Sequence, residues 1–198
     1  MTKQIQKNHR TIIILALMTL IPFSVAWYLT TDPDFKPAST NNGDLIIPVI
    51  TMQRSEFQGV DEFSKENIKQ LDGHWVMLNI IPAGKCNKLC VDAIHATRQL
   101  RLMLNKDLTR TRRAVMIMQG KQEPGFQPWW DEDDRLIKVQ PAPALALKIK
   151  QLLGGEITEG RLLIMDPLGN IMMQYQAGFD PYAVKGDLKK LLRISQIG

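Results

Sequence analysis

The chain opens with its apolar residues in one unbroken block and continues with them in short, differently spaced groups. Residues 11–30 (TIIILALMTLIPFSVAWYLT) carry no charge. Twenty such residues, at ~1.5 Å rise each, reach the ~30 Å hydrocarbon thickness of a bilayer. A stretch rich in Pro, Asn, Asp, Ser and Thr follows and ends in LIIPVI at 45–50, which reads as a tether closing in a short strand. Residues 61–71 are weakly helical. HWVMLNII at 74–81 is a continuous apolar run of strand length, expected to be buried on both faces, and Pro82, Ala83 and Gly84 stop it.

Beyond residue 86 the spacing changes. Leu89, Ala93, Ala96, Leu100 and Met103 recur at steps of three and four, predicting a helix that buries this face. AVMIM at 114–118 is a second strand-length run. Residues 120–134 form a loop with Trp129, Trp130 and an acidic run, which reads as either a docking surface or a local packing cap. A strand at 135–139 and a helix at 141–153, with Gly154 and Gly155 as its stop, come next. The runs at 162–165 and 171–175 flank Asp166-Pro167-Leu168-Gly169, whose residue types suit a type I turn, and so predict a hairpin. A last amphipathic helix spans 180–194. Strand, helix, strand, strand, helix, hairpin, helix, with two parallel crossovers through helices, is the thioredoxin-like order. The fold class is therefore α/β, a mixed sheet flanked by helices, preceded by one N-terminal transmembrane helix. The expected division is a cytoplasmic tail at 1–10, the span at 11–30, the tether at 31–51 and the thioredoxin-like domain at 52–198.

Charge sets the orientation. Lys3, Lys7 and Arg10 precede the apolar block while Asp32 and Asp34 follow it, so the positive-inside rule leaves the N-terminus in the cytoplasm. Trp27 and Tyr28 suit an interfacial belt, and no Arg- and Ser-rich transit segment precedes the block. The expected location is a bacterial inner membrane, crossed once, with the soluble domain in the periplasm. The net charge of +5 is concentrated at Arg98, Arg101, Lys106, Arg110, Arg112 and Arg113, against the single acid Asp107. Aromatic residues do not interleave with these charges and the compartment holds no nucleic acid, which excludes a nucleic-acid partner. The stretch reads as a solvated helix face and its loop, with docking to an acidic partner or anionic lipid as the alternative. No small-molecule substrate is evident.

Cys86 and Cys90, the only two cysteines, fall where the first buried strand gives way to the helix. In open α/β sheets that edge is where chemistry is found. A helix start and the nearby Lys85 and Lys88 favour a thiolate on Cys90. Such a pair can cycle between dithiol and disulfide, hold Cu(I) between soft sulfur donors, or form a static structural disulfide. Cys86, in the loop, is expected to be the more exposed and the attacking thiol. No histidine is placed to add a third ligand. His9 precedes the span, His74 opens the strand at its far end, and His95 is turned about 140° from Cys90 around the helix. The methionines, among them Met77, Met116, Met118, Met165, Met172 and Met173, read as core packing.

The anchor, the CxxxC in GKCNKLC after the first buried strand, and the MDPLGNIMMQY hairpin with its following helix resemble the SCO/SenC family over roughly residue 72 to the C-terminus. That family consists of membrane-anchored, thioredoxin-like assembly factors for the copper centre of cytochrome c oxidase. The resemblance implies Cys86 and Cys90 as copper-binding, redox-active thiols. It implies Cu(I) as the metal, and the inner membrane with an oxidase subunit or other assembly factors as partners. Two features depart from the family: Asn87 and Val91 flank the cysteines where it places proline, and residues 156–161 lack its histidine ligand. The resulting expectation is a divergent member that assists oxidase assembly by thiol-disulfide exchange, with weak Cu(I) handling. The alternatives are a non-catalytic scaffold on the same fold and a general thiol-disulfide oxidoreductase. Against the latter stand the CxxxC spacing and the absence of proline before the strand near Arg161.

Overall fold

A computed structural model describes residues 2–31, 40–82, 86–118, 133–155, 157–195 and 197. The chain divides into two compact units, Met1–Thr40 and Asn41–Gly198. The first holds one helix, α1 (Thr2–Thr31). Its segment His9–Thr31 has a mean hydropathy of 2.2, which makes it long and apolar enough to cross a membrane by length and composition. The polar side chains that interrupt it are accommodated locally. Thr19 donates to the carbonyls of Leu15 and Ala16, and Thr30 and Thr31 donate to that of Trp27, as hydroxyls do in apolar helices.

The second unit is a seven-stranded mixed sheet flanked by helices. In chain order it contains β1 (Asp44–Thr51), β2 (Phe57–Gly59), α2 (Glu62–Asn67), β3 (Trp75–Ile81), α3 (Lys88–Met103) and β4 (Thr111–Ile117). These are followed by β5 (Ile137–Pro141), α4 (Pro143–Leu152), β6 (Leu162–Met165), β7 (Asn170–Tyr175) and α5 (Pro181–Ile194). The strands lie in the order β1-β7-β6-β3-β4-β5-β2. β3, β4 and β5 run parallel, whereas β6 lies antiparallel to β3. The end of the stretch that reads as a tether, residues 44–51, is thus the edge strand β1, paired with β7.

β3 is buried along its whole length, as its unbroken apolar run predicts. Its residues alternate between two cores. Val76, Leu78 and Ile80 pack with Leu145 and Ile149 of α4 on one face. Trp75 and Met77 pack with Leu100 of α3 and Val184, Leu188 and Leu192 of α5 on the other. At ~25 cal/mol per Å² of buried apolar surface, these two layers supply the main drive for the fold. The hairpin turn is also as expected. The Gly169 amide donates to the Asp166 carbonyl at 3.0 Å, and the Asp166 carboxylate accepts from the amides of Leu168 and Asn170.

Two expectations need correction. The buried face of α3 comprises Cys90, Ala93, Ile94, Thr97 and Leu100, while Leu89 is 50% exposed and Ala96 and Met103 are half-buried. An apolar-only stripe misplaces the face because it counts Thr97 as polar. Its hydroxyl donates to Asn79 Oδ1 and to the Ile94 carbonyl, both at 2.9 Å, and can therefore be buried. The second crossover also differs: α4 leads from β5 to β6, and β6 lies antiparallel to β3, so this helix does not join two parallel strands. Trp129 and Trp130 lie outside the described residues.

Candidate functional site

The first turn of α3 is built around Asn87. Its backbone is extended, it occupies the N-cap, and its Oδ1 accepts the Cys90 amide at 3.0 Å. Asparagine is among the best N-cap residues, which gives this position a structural reason for the side chain it carries. Cys86 immediately precedes the cap and Cys90 lies in the first turn. The two Cα atoms are 5.2 Å apart and the sulfurs are joined in a disulfide, a separation within the usual range for such a bond.

The pair is closed off from water. Cys86 is 6% and Cys90 1% exposed, packed with Ile81, Ile94, Val115, Ile117 and Leu136. Cys86 is the more accessible of the two, as expected, but neither residue is open to water. Lys88 is turned along its own helix to Asp92, 2.7 Å away and largely in solvent, so its charge is partly spent there. Lys85 lies outside the described residues.

One neighbour has no counterpart in the sequence reading. Glu159 Oε2 accepts the Asn87 amide at 3.0 Å, placing a half-buried carboxylate beside the helix start. Gly160, at φ +79°, lets this segment approach α3: a Cβ there would lie 2.9 Å from the Leu89 carbonyl oxygen. The acid reinforces the helix dipole but opposes negative charge on sulfur. Glu159 does not stand out in residues 156–161, because a carboxylate is not a soft ligand.

A family model for transmembrane-like, thioredoxin-like C-terminal domains matches residues 75–195. The chain belongs to that family. No curated protein matches it in sequence. Among solved structures, apo Sco1 from Thermus thermophilus is 12% identical with a TM-score of 0.53, covering 79% of this chain and 99% of that one. Copper-bound ScoI from Arabidopsis thaliana is 13% identical with a TM-score of 0.48, covering 64% and 89%. The thioredoxin domain of a thiol-disulfide oxidoreductase from Bacteroides vulgatus is 15% identical with a TM-score of 0.48, covering 77% and 99%. At these identities the likeness is one of fold.

Within this transmembrane-like, thioredoxin-like domain the other soft or basic donors lie elsewhere. His74 is half-buried, with Nδ1 2.8 Å from the Asp72 carbonyl, and His95 is exposed on α3. Met77, Met116, Met118, Met165 and Met173 are core residues. Among the described residues no group of three His, Cys, Asp or Glu side chains could hold a metal ion. The donor set at the site is thus two sulfurs, which as thiolates suit Cu(I), beside a carboxylate, which does not.

The basic stretch is only in part the solvated face its sequence suggests: Arg98 and Lys106 are exposed, whereas Arg101, Arg110 and Arg112 are half-buried. Arg113 is buried against Asp133 at 2.7 Å. Arg110 donates to the carbonyls of Leu192, Ser195 and Ile197, closing the C-terminal end of α5.

Proposed function

We propose that the protein is a membrane-anchored thiol-disulfide exchanger serving the assembly of respiratory cytochrome c oxidase. In this reading residues 1–10 are cytoplasmic, 11–30 span a bacterial inner membrane, 31–51 lead from the span into the sheet and end as its edge strand β1, and 52–198 work in the periplasm. The observation that supports it best is the Cys86–Cys90 disulfide straddling the N-cap of α3, where β3 ends. That edge is where open α/β sheets place their chemistry.

In the reduced state the Cys86 thiolate, nearer the surface, attacks a partner disulfide and forms a mixed disulfide, releasing one partner sulfur as thiolate. Cys90, its thiolate favoured by the helix start, then attacks Cys86 Sγ. The mixed bond breaks, the second partner thiol leaves, and the Cys86–Cys90 disulfide forms. The partner gains the two electrons that the pair loses, and an external dithiol protein must return them. Reduced Cys86 and Cys90 also offer two thiolates to Cu(I) as cargo, and Sco structures with copper bound share the fold.

Burial of both sulfurs favours a second reading, a non-catalytic scaffold whose disulfide is structural. Trapping separates the two in the full chain. Cys90→Ser should accumulate a Cys86 mixed disulfide with an oxidase component, and the reduced wild type should bind one Cu(I) that Cys86→Ala/Cys90→Ala does not. A disulfide that mild dithiols leave intact, with normal oxidase copper content in the double mutant, would establish the scaffold instead.

A further inference from the structure

The C-terminal end of α3 faces a cavity of about 360 Å³ whose lining includes Arg101, Arg112, Arg113, Arg135, Gln70 and Phe63. These arginines come from α3, from the start of β4 and from the approach to β5, and the topology alone brings them together. The one ion pair among the described lining residues is Arg113 with Asp133, so Arg101, Arg112 and Arg135 bring charge that no described carboxylate pairs with.

Two of the guanidinium groups are held in place. Arg101 donates through Nε and Nη2 to the carbonyls of Thr111 and Leu108, at 3.2 and 3.3 Å. Arg112 donates through Nη1 to the carbonyls of Thr109 and Thr111, at 2.7 and 2.9 Å, and through Nε to Gln70 Oε1 at 3.1 Å. Nη1 of Arg101 and Nη2 of Arg112 keep donors that no described residue takes. Burial first, then repulsion from Arg112, Arg113 and Arg135, depresses the Arg101 guanidinium below its ordinary pKa, although arginine stays charged at neutral pH. The arrangement is uncomfortable without an anion and comfortable with one. Guanidinium groups lining a space of small-molecule size, two of them fixed by hydrogen bonds, suit the several acceptor directions of a phosphate.

We propose that this cavity binds a phosphate group, carried either by a small free anion or by an anionic lipid headgroup. The two sources share the same recognition chemistry and differ in what accompanies the phosphate.

Calorimetric titration of the full chain in neutral detergent, with inorganic phosphate in one arm and dihexanoyl-phosphatidylglycerol in the other, tests this. At least one probe should bind. Arg112→Gln should weaken that binding about tenfold and Arg135→Gln about threefold, since each removes charge-assisted donors. Arg135 is exposed with no hydrogen bond shown, so its variant keeps the test intact if Arg112→Gln disturbs the fold. Arg98→Gln, exposed and outside the lining, should change binding less than about twofold. Tighter binding of phosphate assigns the site to a free anion, and tighter binding of the lipid assigns it to a headgroup. No binding of either probe at millimolar concentration, binding indifferent to Arg112→Gln and Arg135→Gln, or an equal loss in Arg98→Gln would overturn the proposal.

Discussion

Helix α3 connects two regions built on opposite terms. At its first turn two sulfurs and a ring of aliphatic side chains exclude water. Eleven residues on, ~16 Å along the axis, Arg101 faces a polar cavity in which charges outnumber their partners. The helix dipole suits both ends, favouring thiolate at the first and cations at the second. The cysteine end is held by burial, so its chemistry requires the site to open. The arginine end is held by hydrogen bonds to carbonyls and by one buried ion pair, so its chemistry requires only a ligand.

That contrast is broken most forcefully at Asp133. Its carboxylate accepts from Arg113 at 2.7 and 3.2 Å, with both side chains nearly inaccessible. Asp133→Ala leaves a buried guanidinium without its counter-charge and should lower stability by about 3–5 kcal/mol, seen as an earlier urea midpoint. Replacing both partners by apolar residues, Arg113→Met with Asp133→Leu, should recover most of the loss. If Asp133→Ala costs under about 1 kcal/mol, the pair does not organise the arginine end.

A smaller effect comes from acid. Burial raises the Asp61 carboxyl, but bonds from Ser64 and Lys138 outweigh it and hold the group below the usual carboxylate range. Asp61 caps α2 through the Ser64 amide at 2.8 Å and accepts Lys138 Nζ at 2.9 Å. A depressed carboxyl contributes its stability fully above the unfolded value, about 3.9, and loses it as pH falls through the folded value. Corrected amide exchange at Ser64 should therefore speed up below about pH 4 while the Cys90 amide stays protected. Asp61→Asn should remove this acid dependence at a cost of about 1 kcal/mol. Equal loss at both amides would show that the first turns of α2 and α3 open as one.

The cysteine end was legible in the sequence because its signal is contiguous. A buried run, a stop and a CxxxC at a helix start occupy seventeen consecutive positions, from His74 to Cys90. The succession of elements from β3 onward followed from the same kind of local pattern, while the three-residue β2 left none. The arginine end was not legible. Arg101, Arg112 and Arg135 are spread over thirty-five positions, and only the parallel pairing of β3, β4 and β5 collects them at one edge. Charge along a sequence reads as solvation until the carbonyls that receive it are known. Thr97 and Glu159 escaped for a related reason, since each depends on a partner that only the fold supplies.

Glu159 gives the finest probe of the cysteine end. Its carboxylate accepts the Asn87 amide at 3.0 Å, so it lies beside the helix start where any thiolate must form. A nearby negative charge disfavours the ionised sulfur, against the pull of the helix dipole. Glu159→Gln keeps an acceptor for the Asn87 amide and removes only the charge. The thiolate absorbance of the reduced variant should therefore appear at lower pH. Reduction of its disulfide by dithiothreitol should be about two- to fivefold faster, a change under ~1 kcal/mol in keeping with a half-exposed charge. Glu159→Ala separates charge from support, because it also removes the acceptor and should loosen the first turn of α3. If Glu159→Gln titrates and reduces like the wild type while Glu159→Ala frays the helix, Glu159 is a strut for the cap and has no influence on the sulfurs.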